Sequence, residues 1–248
     1  MADAITPSSS HATPPTDTDA GLIVTLDGPA GSGKSTVARR LAQRLDLEFL
    51  DTGAMYRGLT AKCLDRDIDP AAAPQEVVAL AQHCPMRFDW KADPPRLFVG
   101  DIDVTDRLRD ADVTFSVSDV AAIGAVRHLL VAHQQQIGRD HPRLVTEGRD
   151  QGSVVFPAAA VKFYLDAAPQ VRAHRRADQL RAAGKPVDEA QILEGIMTRD
   201  HKDSTRQDAP LIRPDDAEYV DTSAMTLDQV LDHLETRVRA RCGQRLTR

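Results

Sequence analysis

The run LIVTLD, Leu22 to Asp27, is short, apolar and bounded by Gly21 and by Gly28-Pro29, which predicts a buried strand of a parallel sheet. After a glycine-rich stretch, Val37, Ala38, Leu41 and Leu45 fall at i, i+1, i+4 and i+8, opposite Arg39, Arg40, Gln43 and Arg44. That spacing predicts an amphipathic helix. LEFLDT (47–52), RLVTEG (143–148), VKFYLDA (161–167) and AEYVDT (217–222) repeat the strand pattern, and each is followed by a helical one. Strands alternating with helices give βαβ units, so the expected fold is α/β, a parallel five-stranded sheet flanked by helices.

Two segments depart from the alternation. Residues 85–105, PMRFDWKADPPRLFVGDIDVT, hold three short strand-like pieces separated by turn residues, and are expected to form a small antiparallel insert. Residues 171–206 read as two cationic helices broken at Gly184-Lys185-Pro186, a sequence that ends helices. No internal repeat is present. Residues 1–21, rich in Ser, Thr, Pro and Asp with almost nothing to bury, are expected to be a disordered extension. The folded domain is expected over 22–242, with 243–248 as a tail.

Composition narrows the function classes. A net charge of −6 over 248 residues speaks against a general nucleic-acid or acidic-membrane binder, which needs a basic face. Cys63, Cys84 and Cys242 are odd in number and lack metal-ligand or C-x-x-C spacing, which suits a reducing compartment. The start of the chain shows no cationic stretch with an apolar core, and no long apolar run follows. A cytoplasmic protein, expected to act as a monomer without nucleic acid or membrane, fits these features.

The chemistry begins at Gly28-Pro29-Ala30-Gly31-Ser32-Gly33-Lys34-Ser35, followed by Thr36. This is the G-x-x-x-x-G-K-S phosphate loop, and it lies between a predicted strand and a predicted helix, as that motif requires. Gly28, Gly31 and Gly33 let backbone N–H groups approach phosphate oxygens at a helix N-terminus. Lys34 brings a mobile charge to the β- and γ-phosphates, and the Ser35 hydroxyl can complete a Mg²⁺ shell. The chain contains no Asn, so the N-K-x-D guanine-recognition segment of GTPases is excluded. No nucleophile–base triad is legible either. His83, His133, His174 and His201 fall in predicted helices without partner spacing and receive no catalytic role.

A second anion site is suggested by arginines. Arg57 lies in DTGAMYRG, Arg149 in EGRD at the end of a predicted strand, and Arg175, Arg176, Arg199 and Arg206 in the cationic pair. Asp51 to Gly53 and Glu147 to Asp150 end parallel strands, and should therefore face the phosphate loop across the ligand crevice. Arg199, Lys202, Asp203 and Arg206 recur at i, i+3, i+4 and i+7, one face of a helix. Residue chemistry alone leaves open a kinase of a nucleotide or other small metabolite, an ATP-binding module without turnover, and a nucleic-acid-stimulated ATPase.

DGPAGSGKST, FLDTGAMYRG, EGRDQGSVVFP and RDHKDSTR, in this order and with the insert between the second and third, resemble the bacterial cytidylate kinases, nucleoside monophosphate kinases of the P-loop superfamily. The resemblance runs from about Leu22 to about Arg241. It implies a core, a nucleotide-acceptor region that includes the insert at about 85–105, and a helical lid at about 171–206. It implies transfer of the γ-phosphate of ATP, with Mg²⁺, to CMP or dCMP. Carried over, Thr52, Arg57, Arg149 and Arg206 would hold the acceptor phosphate, Asp203 with Arg199 would meet the ribose, and Ser118, Arg127 and Asp150 would line the cytosine pocket. Lys34, Arg149, Arg199 and Arg206 would be the catalytic cations. Thr52 stands where the family also has Ser, and Glu147 where it also has Asp; both keep the chemistry.

Overall fold

A computed structural model describes residues 21–247; the expected N-terminal extension lies, apart from Gly21, outside them. The five strands form where the apolar runs predict: β1 (Leu22–Asp27), β2 (Glu48–Asp51), β6 (Arg143–Glu147), β7 (Val161–Asp166) and β8 (Glu218–Asp221). They pair in the order β2-β6-β1-β7-β8, all parallel. β1 is central, with Leu26 opposite Glu147 of β6 and Asp27 opposite Tyr164 of β7.

The two faces of β1 have different neighbours. Leu22, Val24 and Leu26 pack with Val37, Leu41 and Leu45 of α1 (Lys34–Leu45) and with Val230, Leu234 and Val238 of α8 (Leu227–Leu246). The apolar stripe of α1 is thus buried as its spacing requires. The second core lies over β2 and β6. It gathers Leu50 and Leu144 with α2 (Thr52–Leu64), α3 (Pro74–His83), α4 (Ala111–Ala122) and α5 (Gly124–Asp140). α2 has little amphipathic pattern and is buried on most sides, because the small sheet covers its outer face. α8 bends at Cys242, where the backbone leaves helical geometry, and resumes to Leu246, so helix extends into the expected tail.

Residues 85–105 fold as expected into an antiparallel sheet, β3 (Met86–Asp89), β4 (Arg96–Val99) and β5 (Ile102–Asp103). Leu97 and Val99 enter the second core beside Leu59. At its edge Trp90 lies over His141 at 4.1 Å between ring centroids, and His141 Nδ1 lies 2.8 Å from Glu48 Oε2. The cationic segment forms α6 (Pro169–Ala182) and α7 (Glu189–Thr205), which pack on each other. Asp188 caps α7 by accepting from Ala190 N and Gln191 N. Among the described residues no single helix is long and apolar enough to cross a membrane.

Gly28 ends β1 at φ +146°, and a Cβ there would lie 1.9 Å from the Leu165 carbonyl oxygen of β7. No side chain fits, since both the dihedral and the neighbouring backbone are fixed. Gly28→Ala should therefore cost at least about 2 kcal/mol in urea unfolding; an unaltered unfolding midpoint would contradict this packing.

Candidate functional site

The phosphate loop joins β1 to α1, with Gly33 in the left-handed conformation as the N-cap of α1. Pro29, Ala30 and Ser32 are buried, Thr36 is exposed on the first helical turn, and Lys34 is only 4 % exposed. Lys34 Nζ donates to Pro29 O at 2.7 Å and to Ser32 Oγ at 3.2 Å. Burial and, after it, Arg149 lower the Lys34 ammonium to about 7, the effect of removing a cation from water beside another cation.

The ends of β2 and β6 face this loop, as the parallel topology predicts. Ser35 Oγ donates to Glu147 Oε1 at 2.5 Å, and Thr52 Oγ1 donates to the Glu147 carbonyl at 2.8 Å. Asp51 caps α2 by accepting from Ala54 N. Burial and the neighbouring Glu147 raise its carboxyl to about 7. Two carboxylates and a hydroxyl thus share one corner beside the loop.

After β6 the chain passes through Gly148, Arg149 and Asp150 into a π-helical turn, Gln151–Val155. Asp27 holds that turn from below, its two carboxylate oxygens accepting from Gln151 N at 2.8 Å and Gly152 N at 2.7 Å. Thr146 Oγ1 donates to Gln151 Oε1, and Gln151 Nε2 donates to Gln134 Oε1. This buried network is satisfied by side chains from three elements, which is what makes a polar interior tolerable. Asp27 is raised to about 6, chiefly by burial.

Arginines gather on the far side. Asp203 of α7 accepts from Arg149 Nε at 2.9 Å and lies 3.9 Å from Arg199 Nε and 3.7 Å from Arg206 Nη1. Burial lowers Arg199 to about 10, with Arg149 and Arg57 adding to the effect. Arg57 donates to Leu108 O and to Thr114 Oγ1. Arg127 and Asp150 form a buried ion pair, with the Arg127 guanidinium 5.5 Å from the Tyr56 ring centre. Ser118 lines a cavity of about 240 Å³ with Ala121, Asp203 and Arg206. Arg127 Nη1 donates to Ala121 O, which links cavity and ion pair. Arg127 Nε, Arg199 Nε and Arg206 Nη2 are buried without a hydrogen-bond partner, which is unusual for buried donors.

A family model described as cytidylate kinase matches residues 24–240. The chain belongs to the cytidylate kinase family. It is 45 % identical over 216 residues to a cytidylate kinase of Corynebacterium efficiens, covering 87 % of this chain and 94 % of that protein. It is 46 % identical over 222 residues to one of Mycobacterium avium, covering 90 % and 97 %. Among solved structures, a shikimate kinase from Bacteroides thetaiotaomicron aligns over 88 % of this chain and 98 % of its own, with a TM-score of 0.44 and 12 % identity.

For a cytidylate kinase whose motifs are read along the chain, one expectation needs correction. Arg199, Lys202 and Asp203 share a face of α7, and Lys202 lines the cavity with Asp203 while reaching Asp119 of α4 at 3.0 Å, but Arg206 lies beyond the helix. Arg206 has left the helix at φ −62°, ψ 146°, and its Nε donates to Ala209 O. Arg175 is directed to the end of β8, where it donates to Thr222 Oγ1 and O. Asp51 faces the loop as its strand-end position predicts, whereas Asp27, the first residue of DGPAGSGKST, carries no role in the expected site. The signal for Asp27 was the same one, since it too is the last residue of a parallel strand, where the crevice opens.

Asp27→Asn replaces one acceptor with a donor facing a backbone N–H, and should cost about 1–3 kcal/mol. The wild-type carboxyl, raised in the folded chain, gains stability as the pH falls from about 6 toward 4, and the amide does not. The stability gap between wild type and variant should therefore widen on acidification; a gap that narrows would oppose this reading.

Proposed function

We propose that this cytidylate kinase transfers the γ-phosphate of ATP to CMP or dCMP, using the phosphate loop for the donor and the arginines around Asp203 for the acceptor. The family assignment supports the activity. The observation that carries the site is the gathering of Lys34, Arg57, Arg149 and Arg199 in one buried cluster, where burial first and mutual repulsion after it depress the lysine and Arg57 and Arg199 alike. Cations packed at this density are relieved by polyanions, and two nucleotides supply them.

Phosphoryl transfer passes through a loose transition state, so positioning and charge neutralisation do most of the catalytic work. The backbone of Gly31 to Ser35 and the Lys34 ammonium would hold the donor phosphates. Thr52, Arg57, Arg149 and Arg206 would orient the acceptor phosphate in line. No general base is needed, because a phosphate monoester, with a second pKa of about 6, is already largely dianionic at neutral pH. Ser35 Oγ, Glu147 and Asp51 form a set of hard oxygen donors that fits Mg²⁺, and a divalent cation would offset the burial and the Glu147 repulsion that raise Asp51. When bound, Mg²⁺ supplies neutralisation of the transferring phosphate. α6 and α7 would act as the lid that keeps water from competing as acceptor.

The base pocket would be built from Ser118, Arg127 and Asp150. Cytosine presents a 4-amino donor and an N3 acceptor, where uracil presents a carbonyl and an N–H. Asp150 and Ser118 can accept from the amino group, and Arg127 can donate to the ring edge. All these residues come from one chain, so a monomer suffices. The free thiols of Cys63, Cys84 and Cys242 suit the cytoplasm.

In a coupled ADP-release assay, Lys34→Ala should fold normally and lose about two orders of magnitude or more in kcat; a folded variant with full turnover would remove the lysine from the mechanism. Wild type should prefer CMP and dCMP to UMP, AMP and GMP at limiting concentration. Asp150→Ala should narrow the CMP-to-UMP ratio of kcat/KM mainly by weakening CMP, since a site built for a donor loses its discrimination with its acceptor. An unaltered ratio would place the base elsewhere.

A further inference from the structure

One ion pair joins both cationic helices to the phosphate loop. Asp200 of α7 accepts from Ala30 N through Oδ1 at 2.9 Å, and its Oδ2 takes Arg172 Nη1 of α6 at 2.5 Å. The same Arg172 nitrogen donates to Ala30 O at 2.8 Å, and Arg172 Nε donates to Ala167 O at the exit of β7. Both polar groups of Ala30 are therefore taken up by one pair, of which Arg172 is 4 % exposed. Beside it Ile196 of α7 and Arg172 close over Gly31, where an added Cβ would meet them at 3.6 and 3.4 Å.

The contact fixes more than distance. At about 100° per residue, Arg199 and Asp203 lie on the same flank of α7, roughly 100° and 60° from Asp200. With Asp200 held on Ala30, that flank faces β6, where Asp203 receives Arg149. Lys202, about 200° away, meets α4 instead. A helix pinned at Asp200 has its rotation about its own axis set by the donor loop.

We propose that Asp200 and Arg172 are positioning residues, a clamp that registers the lid on the phosphate loop and thereby aims Arg199, Asp203 and Arg206 at the acceptor. The proposal rests on the reading that these three residues serve the acceptor. Its mark is a loss in transfer rather than in donor binding, because Asp200 hydrogen-bonds Ala30 at the entrance of the loop and not the amides of Gly31 to Ser35.

The test compares Asp200→Ala, Asp200→Asn, Arg172→Met, the Arg172→Met/Asp200→Ala double variant and Arg206→Ala, with folding checked by urea midpoint. At saturating CMP, Asp200→Ala should lose between about 10- and 100-fold in kcat, the range for a misplaced but intact catalytic group. Its KM for ATP should stay within about threefold, and ATP hydrolysis relative to transfer should rise as water gains access. Asp200→Asn keeps an acceptor for Ala30 N and should recover part of the rate, which also carries the test if the alanine variant folds poorly. The double variant should be no slower than the worse single one, to within about twofold, because the pair acts as a unit. Wild-type kcat in folded Asp200→Ala and Asp200→Asn beside a slow Arg206→Ala, or losses that multiply in the double variant, would overturn the clamp. A fully active Arg206→Ala would instead overturn the acceptor reading on which it rests.

Discussion

The double hydrogen bond from Gln151 N and Gly152 N to the Asp27 carboxylate is the joint on which the site turns. Asp27 is the last residue of the central strand and the residue before the phosphate loop. Gln151 follows directly on Glu147, Gly148, Arg149 and Asp150. One side chain therefore sets the loop that would cradle the donor against the loop that carries the hydroxyl partner of Ser35, the partner of Asp203 and the partner of Arg127. Burying that carboxylate raises its pKa, and two backbone donors offset the cost. The Thr146, Gln151 and Gln134 chain beneath leaves little room for a different arrangement.

Around this joint the cations are arranged against carboxylates from other elements. Arg149 leans on Asp203, Arg172 on Asp200 and Arg127 on Asp150. In each case the acid and the base come from different elements of the chain. Buried ion pairs contribute little net stability, because desolvation consumes most of the attraction. Their effect here is geometric: they hold long arginine side chains in a few orientations, which lowers the cost of ordering them on a phosphate.

Much of this was legible in the sequence, and the limits have physical causes. Strands such as Leu22–Asp27 announce themselves because burial on both faces demands uninterrupted apolar residues, and the phosphate loop because few residues can adopt its backbone. The insert was legible through its turns. The π-helical turn at Gln151–Val155 was not, since QGSVV has neither period and its conformation is dictated by Asp27 more than a hundred residues earlier. Arg206 continues the helical spacing of Arg199 and Asp203, yet the helix stops at Thr205; spacing records a possible helix, and tertiary contacts decide its length. Asp200 was passed over because a charged residue on a charged helix ordinarily faces water, and nothing local marks the backbone amide it meets.

The stacking of Trp90 on His141 has a spectroscopic corollary. Trp90 is the sole tryptophan of the chain, and it stands where the small sheet touches the end of α5 and, through His141, the edge strand β2. The indole emission of the whole protein thus originates at a single joint between the two sheets. Any rigid-body displacement of the small sheet would change the separation of those rings, so the molecule carries its own label-free gauge of that joint.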